Sequence, residues 1–299
     1  MPEVLSHLRA GYISTLIPTD SVEVLVLAGG MGTRLRGQAQ RSVPAVPKLL
    51  MEVGPETEPT PMIGTILGEI YGNGFRAISV LTSSAADAGG SDIETYVLAH
   101  HGHNARLQLL REALPLGTAG AVYAALAHVA AERIVIVPGD TLFPFGALQA
   151  ALTAHRRASH SLTWVVTTRP GPAAQNSGRL LLNTDGTLCR VLEGLNAEEA
   201  RSERSGIKVD VTESTSAGVI IANRVHYASA FEKHTAGQSD PAPIDVYRQL
   251  VPWLLRQGEV IETYDIRCSA PDLGTPERLA VFGRTPSKYL SSGPKRTDL

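Results

Sequence analysis

Residues 22–27, VEVLVL, form a short apolar run rich in β-branched side chains, and Ala28, Gly29, Gly30 and Gly32 follow at once. A run that is apolar on both faces has no side for water, so it fits a strand inside a parallel sheet, which helices must cover above and below. Glycines at the carboxyl end of such a strand permit a tight turn and let backbone N–H groups approach an anion closely. Arg34 and Lys48 come next, one a planar fork and the other a compact point charge, both suited to phosphate oxygens.

The rest of the chain supports a layered α/β design. Strand-like runs at 77–81, 107–110 and 134–137 alternate with helix-like stretches at 62–71, 93–100 and 119–130, which predicts a parallel sheet with helices on both faces. Beyond Thr141 the pattern changes. A helix around 148–155 leads to LTWVVTT at 162–168, and then Asp185-Gly186 separates two strand-like runs within 179–193, a strong hairpin signal. Residues 198–210 are charged without a period and predict a surface loop or lid. Residues 216–222 read as a buried strand, 244–256 as an amphipathic helix and 260–266 as a last strand.

Composition removes several function classes. At 299 residues and 43% hydrophobic content, the chain can bury a substantial core, as one large domain or two joined intimately. A net charge of −2 leaves no general basic field for nucleic acid or an anionic membrane, so phosphate binding has to be local. Apolar runs are strand-length, and the first twenty residues lack the pattern of a secretory signal, so a cytoplasmic protein is expected. Cys189 and Cys268 stand far apart in no CxxC pattern and are expected to be reduced thiols in or near the core. A GxGxxG fingerprint is missing its third glycine, and no GK[ST] follows the glycines, so neither a dinucleotide fingerprint nor a Walker loop is present.

AGGMGTRL followed by Pro47-Lys48 resembles the sugar-1-phosphate nucleotidylyltransferases, the NDP-sugar pyrophosphorylases, with a mannose-1-phosphate guanylyltransferase-like flavour. The likeness continues in order through EALPLGTAGAVYAA at 112–125, IVIVPGDTL at 134–142, residues 176–190, SAGVII at 216–221 and PDLGTPERL at 271–279. It implies a Rossmann-like mixed, mainly parallel sheet flanked by helices, with an inserted acceptor-binding hairpin. The expected division is an extension at 1–21, a nucleotide-binding half at 22–142, a sugar-phosphate-binding half at 143–284 and a tail at 285–299. The segment at 8–18, LRAGYISTLIP, is of a kind that packs on the body or on a second copy in a homo-oligomer.

The resemblance also implies the reaction: a sugar 1-phosphate attacks the α-phosphorus of an NTP, and pyrophosphate leaves. Repulsion between the two polyanions is what cations, a divalent metal and oriented N–H dipoles would offset. Arg34 would hold the leaving phosphates and Lys48 would bridge the α-phosphate and the incoming one, with Ala28, Gly29, Gly30, Gly32 and Thr33 around the triphosphate. Asp140 and Asp272 would hold Mg²⁺, which takes hard oxygen ligands; singly, each is also an ordinary loop or N-cap residue. Glu112, Gly117 and Thr118 would recognise the base. A carboxylate only accepts hydrogen bonds, so it suits guanine N1–H and N2–H₂ or the adenine amino group, which favours GTP, then ATP. Gly139, Gly178, Glu193 and Gly218 would meet the acceptor.

Two departures stand out. Residues 37–46, GQAQRSVPAV, look like an insertion before Lys48, and relatives usually place a lysine after the acceptor glutamate, where this chain has Gly194. Arg190, Arg179 or Lys208 could supply the cation, or the acceptor could be a cyclitol phosphate. Arg36 and Arg41 read as solvated. The same departures motivate a catalytically silent homologue, which the joint presence of Arg34, Lys48, Asp140 and Asp272 opposes. A metal-dependent glycosyltransferase would carry DxD, whereas Thr141 and Leu142 follow Asp140. His100, His101 and His103 lack carboxylate or cysteine company and read as a solvated helix end; Trp164 and Trp253 read as core or half-buried aromatics.

Overall fold

In the computed structural model, described for residues 21–30, 46–54, 59–84, 89–158, 160–169, 178–207, 209–237, 242–275 and 278, the opening apolar run is strand β1 (Val22–Leu27). A small ribbon, β2 (Glu52–Val53) with β3 (Thr60–Pro61), follows. β4 (Ile78–Ser83) and β6 (Arg133–Pro138) flank β1 in parallel, and β5 (Leu107–Glu112) extends the parallel half beyond β4. In the second half, β10 (Val211–Asn223) runs antiparallel to β6, to β7 (Leu162–Thr167) and to β8 (Arg179–Asn183). β9 (Leu188–Val191) closes the hairpin with β8 across Asp185-Gly186, and β11 (Glu262–Asp265) joins β7 in parallel. The main order is β11-β7-β10-β6-β1-β4-β5.

Alternation along β1 explains why the run is apolar throughout. Val22, Val24 and Val26 enter one core cluster, whereas Leu25 enters the other. On the first face lie α1 (Met62–Gly72), α2 (Gly90–His101) and α4 (Leu148–Arg157), through residues such as Ile66, Val97 and Leu152. The second face is covered by α3 (Gly117–Ala125), α6 (Arg224–Thr235) and α7 (Val251–Arg256), through Val122, Tyr227 and Leu254. A strand buried on both faces cannot alternate apolar with polar residues. Glu23 is the exception near the start of β1: burial raises its carboxyl above the usual range, opposed by the Ser79 hydroxyl, which donates to it at 2.6 Å, and by Arg106.

Two expectations are corrected. Residues 198–210 are not simply a loop: α5 (Ala197–Ser205) forms there, because Asn196 accepts from the N–H groups of Glu198 and Glu199 while Glu199 reaches back to the Asn196 N–H. That capping box starts a helix whose apolar contribution is almost confined to Ala200, so no periodic stripe announces it. The amphipathic helix at 244–256 is instead a π-helical turn, Val246–Leu250, running into α7. Pro252 has no N–H to donate, and the change of winding falls beside it. Residues 1–20 of the expected extension at 1–21, and the tail at 285–299, lie outside the described residues.

Candidate active site

The carboxyl ends of β4, β1 and β6 meet at one edge. The Gly139 N–H donates to the Leu27 carbonyl at 3.0 Å, and the Ala28 N–H to the Leu81 carbonyl at 2.8 Å. A side chain at Gly139 would begin 2.6 Å from the Leu27 oxygen and 2.8 Å from Leu49, so only glycine allows the two strand ends to come this close. Gly29 lies against Ser83 at the end of β4, whereas no described residue comes within 4 Å of a side chain placed at Gly30. Gly32, Thr33, Arg34, Arg36 and Arg41 lie outside the described residues.

Lys48, Asp140 and Asp272 come together at this edge. Lys48 opens a 3₁₀ turn after Pro47 and forms an ion pair with Asp140 Oδ2. Residues 271–273 lie antiparallel to 140–142: Thr141 bridges Asp272, the Leu142 N–H donates to the Pro271 carbonyl at 3.0 Å, and the Leu273 N–H to the Asp140 carbonyl at 2.8 Å. A Cβ built at Gly274 would be 2.6 Å from Asp272 Oδ1 and 3.4 Å from both Asp140 Oδ2 and Lys48 Nζ, so all three groups surround one point. Asp272 Oδ1 accepts from the Gly274 N–H at 2.6 Å, and its Oδ2 pairs with Arg278. Arg278 sits within the quoted 271–279 stretch but was not singled out from sequence.

Beside these groups is a cavity of about 160 Å³, lined by Gly178, Glu193, Gly218 and Tyr247 as well as both aspartates. A Cβ at Gly178 would meet Glu193 Oε2 at 2.5 Å, so glycine makes room for that carboxylate. Gly218, at φ +79°, lies in an irregularity of β10 between Ser216 and Ile220. The Ser216 hydroxyl oxygen accepts from the Gly218 N–H at 3.0 Å and the Trp164 indole N–H at 2.9 Å, while the Gly218 carbonyl accepts from the Tyr247 hydroxyl at 2.6 Å. Burial, with Glu193, Asp245, Asp140 and Tyr227 adding to it, pushes the Tyr247 phenol well above its ordinary value. It therefore acts as a neutral donor.

Glu112, Gly117 and Thr118 build a separate loop between β5 and α3. Glu112 Oε1 accepts from the Leu116 N–H at 2.7 Å; burial raises its carboxyl, and that N–H opposes the rise. Gly117, at φ +76°, packs on the Ile244 backbone, where a Cβ would come within 2.5 Å of both the nitrogen and the oxygen. Thr118 Oγ1 accepts from the Val246 N–H at 2.8 Å. The segment that pins this loop runs straight on into Tyr247 and Arg248, so one stretch of backbone links the loop to the cavity.

Other sequence candidates lie elsewhere. Arg190 pairs with Glu203 at 3.2 Å and Arg179 with Glu213 at 3.8 Å; Lys208 is outside the described residues. His100 and His101 end α2, as expected, and among the described residues no group of three His, Cys, Asp or Glu side chains could hold a metal ion. Trp164 is fully buried, and Cys189 and Cys268 are free, half-buried thiols. Among the described residues no helix is long and apolar enough to cross a membrane. Tyr247 and Arg248 were hidden inside the expected amphipathic helix, where no sequence signal separated them from its surface.

Residues 24–227 match the model of the MobA-like NTP transferase domain, and the chain belongs to that family. It is 23% identical over 271 residues to the bifunctional protein GlmU of Carboxydothermus hydrogenoformans, which covers 90% of this chain and 53% of that protein; the chain thus spans about half the length of this relative. Similar solved structures include HddC from Yersinia pseudotuberculosis complexed with GMP-PN, at 18% identity over 88% of this chain and 98% of that one, with a TM-score of 0.62. Another is the inositol-1-phosphate CTP transferase from T. maritima, at 17% identity over 90% and 96% of the two chains, with a TM-score of 0.65. At these identities the likeness is one of fold, and it bears out the mixed α/β sheet.

Proposed function

We propose that, as a member of this NTP transferase family, the chain transfers a nucleoside monophosphate from an NTP, GTP ahead of ATP, to a sugar 1-phosphate or a sugar-like phosphate such as a cyclitol phosphate. The observation that carries this reading is the convergence of Lys48, Asp140 and Asp272 at the carboxyl edge of the sheet, beside a cavity walled by Glu193 and two glycines. Open α/β sheets bind ligands at that edge. An acceptor phosphate oxygen forms the new bond to the α-phosphorus while the bond from that phosphorus to the bridging β-phosphate oxygen breaks, and pyrophosphate departs with the electron pair.

Lys48 stands where it can hold both phosphates as charge redistributes between them, and Arg34 is the residue proposed for the leaving pyrophosphate. Glu193 can accept from two acceptor hydroxyls, and Tyr247 holds the Gly218 carbonyl so that the cavity wall keeps its shape. Asp140 and Asp272 would hold Mg²⁺: both are hard oxygen donors turned toward one point, and each carboxylate oxygen has a second lone pair beyond its present partner. The metal would supply charge neutralisation at the phosphates when bound.

For the base, Glu112 spends one oxygen on the Leu116 N–H and keeps the other for donors on a purine. HddC complexed with GMP-PN supports a guanine nucleotide, whereas the inositol-1-phosphate CTP transferase supports a cyclitol acceptor. Pyrophosphate release measured across four NTPs and a panel of hexose 1-phosphates and cyclitol phosphates tests the reading. Release with GTP and at least one acceptor is the expected outcome; no release with any pair would sink it.

A further inference from the structure

Three carboxylates, Asp140, Glu193 and Asp272, face the acceptor cavity, and a phosphate dianion entering beside them meets repulsion unless cations accompany each one. Lys48 accompanies Asp140 and Arg278 accompanies Asp272. Glu193 forms an ion pair with Arg248, whose Nε lies 3.7 Å from Glu193 Oε1. Arg248 follows Tyr247 in the π-helical turn, and Asp245 Oδ1 accepts from the N–H groups of both residues, at 2.8 and 2.9 Å, which fixes the backbone that presents them.

The Arg248 side chain lies across Gly194. A Cβ at that glycine would come within 2.9 Å of Arg248 Nε, 3.1 Å of Cζ and 3.2 Å of Cδ, and its φ of +79° disfavours any other residue. A side chain after Glu193 and the guanidinium of Arg248 thus compete for one space, and Arg248 has it. At 3.7 Å the contact with Glu193 is an ion pair rather than a short hydrogen bond, and the Arg248 side chain is 41% exposed, so its fork retains N–H donors for a second anion. Arg190 and Arg179 are paired with Glu203 and Glu213 instead.

We infer that Arg248 is the residue that binds the phosphate of the acceptor, in the place a cation at position 194 would otherwise serve. This rests on the proposed reaction only in taking the acceptor to be a phosphate. Glu193 then has two tasks: it accepts from acceptor hydroxyls and orients the guanidinium that grips the phosphate, so the acceptor is recognised as a hydroxyl and a phosphate at a set separation.

Calorimetric titration with inorganic phosphate tests the anion site without turnover, and steady-state kinetics tests its use. Arg248→Ala is expected to weaken phosphate binding roughly tenfold and to raise the acceptor KM by about tenfold or more, leaving the NTP KM within about twofold. Arg248→Lys should recover part of both losses by restoring the charge without the fork, and Arg190→Ala should change neither. Unchanged phosphate affinity in Arg248→Ala overturns the inference whatever the turnover. Equal rises in both KM values would also overturn it, by showing that Arg248 merely supports the backbone that pins residues 112–118. If the wild type transfers nothing but phosphate binding still falls in Arg248→Ala, the anion site stands and the proposed reaction fails.

Discussion

The sides proposed for the nucleotide and for the acceptor are built by different means. Residues 28–30 and 112–118 are contiguous stretches that place backbone groups at strand ends; Gly29 lies close against Ser83, and Gly117 is required by close approach to the Ile244 backbone. On the acceptor side, single side chains from β9's end, the β10 irregularity, the 246–250 turn and residues 271–272 meet across the sheet, tied by the relay from Trp164 through Ser216 and Gly218 to Tyr247. A contiguous site depends on local backbone conformation, whereas an assembled one depends on the core that holds its parts in register. Damage to the core should therefore reach acceptor binding first.

Trp164→Ala is the hardest test of that contrast. The indole is fully buried, packs 5.4 Å from the Tyr247 ring and donates to Ser216, so its loss should cost about 3–5 kcal/mol in urea unfolding. A loss under about 1 kcal/mol would show that the acceptor wall does not depend on it. Asp140→Asn strikes the point the two sides share and should lower kcat by about 10²–10³ while the circular dichroism spectrum is kept. Near-normal turnover with Mg²⁺ would remove Asp140 from the centre.

Gly117→Ala strikes first at the loop proposed for the nucleotide, by forcing a Cβ into the Ile244 backbone at positive φ, and should destabilise by about 1–3 kcal/mol. Its NTP KM should rise more than its acceptor KM; the opposite order would mean that residues 244–248 carry the disturbance across and the two sides are not separable. Glu112→Gln should give the smallest change. Burial raises the Glu112 carboxyl, so its contribution to stability is complete below the unfolded value and is lost as pH rises through the folded one. The glutamine variant should therefore gain on the wild type in melting temperature from about pH 4 upward, and its preference should move from GTP toward a pyrimidine NTP. A melting difference independent of pH would show that the carboxylate is not desolvated.

β1 could be placed because burial on both faces removes the need for polar alternation, and the β8–β9 hairpin because Asp185-Gly186 suits a tight turn. α5 escaped notice because a capping box, rather than an apolar stripe, starts it. Motifs mark Asp140, Glu193 and Asp272, and these line one cavity, whereas Arg179 and Arg190, cations the sequence offers beside Glu193, face Glu213 and Glu203 instead. Charge in a sequence has no direction; only packing shows which carboxylate a guanidinium meets.

By itself the sequence determined the parallel half of the sheet and the glycine-lined strand ends, because strand burial and tight turns are set by residues adjacent in the chain. The family resemblance placed Lys48, Asp140 and Asp272 in one site, but tertiary structure alone decided the geometry in which they surround one point and that Arg248, fifty-four positions beyond Gly194, occupies the space a side chain at Gly194 would take. Contacts between segments so far apart follow from how the sheet twists and which helices cover it, and no local pattern encodes them.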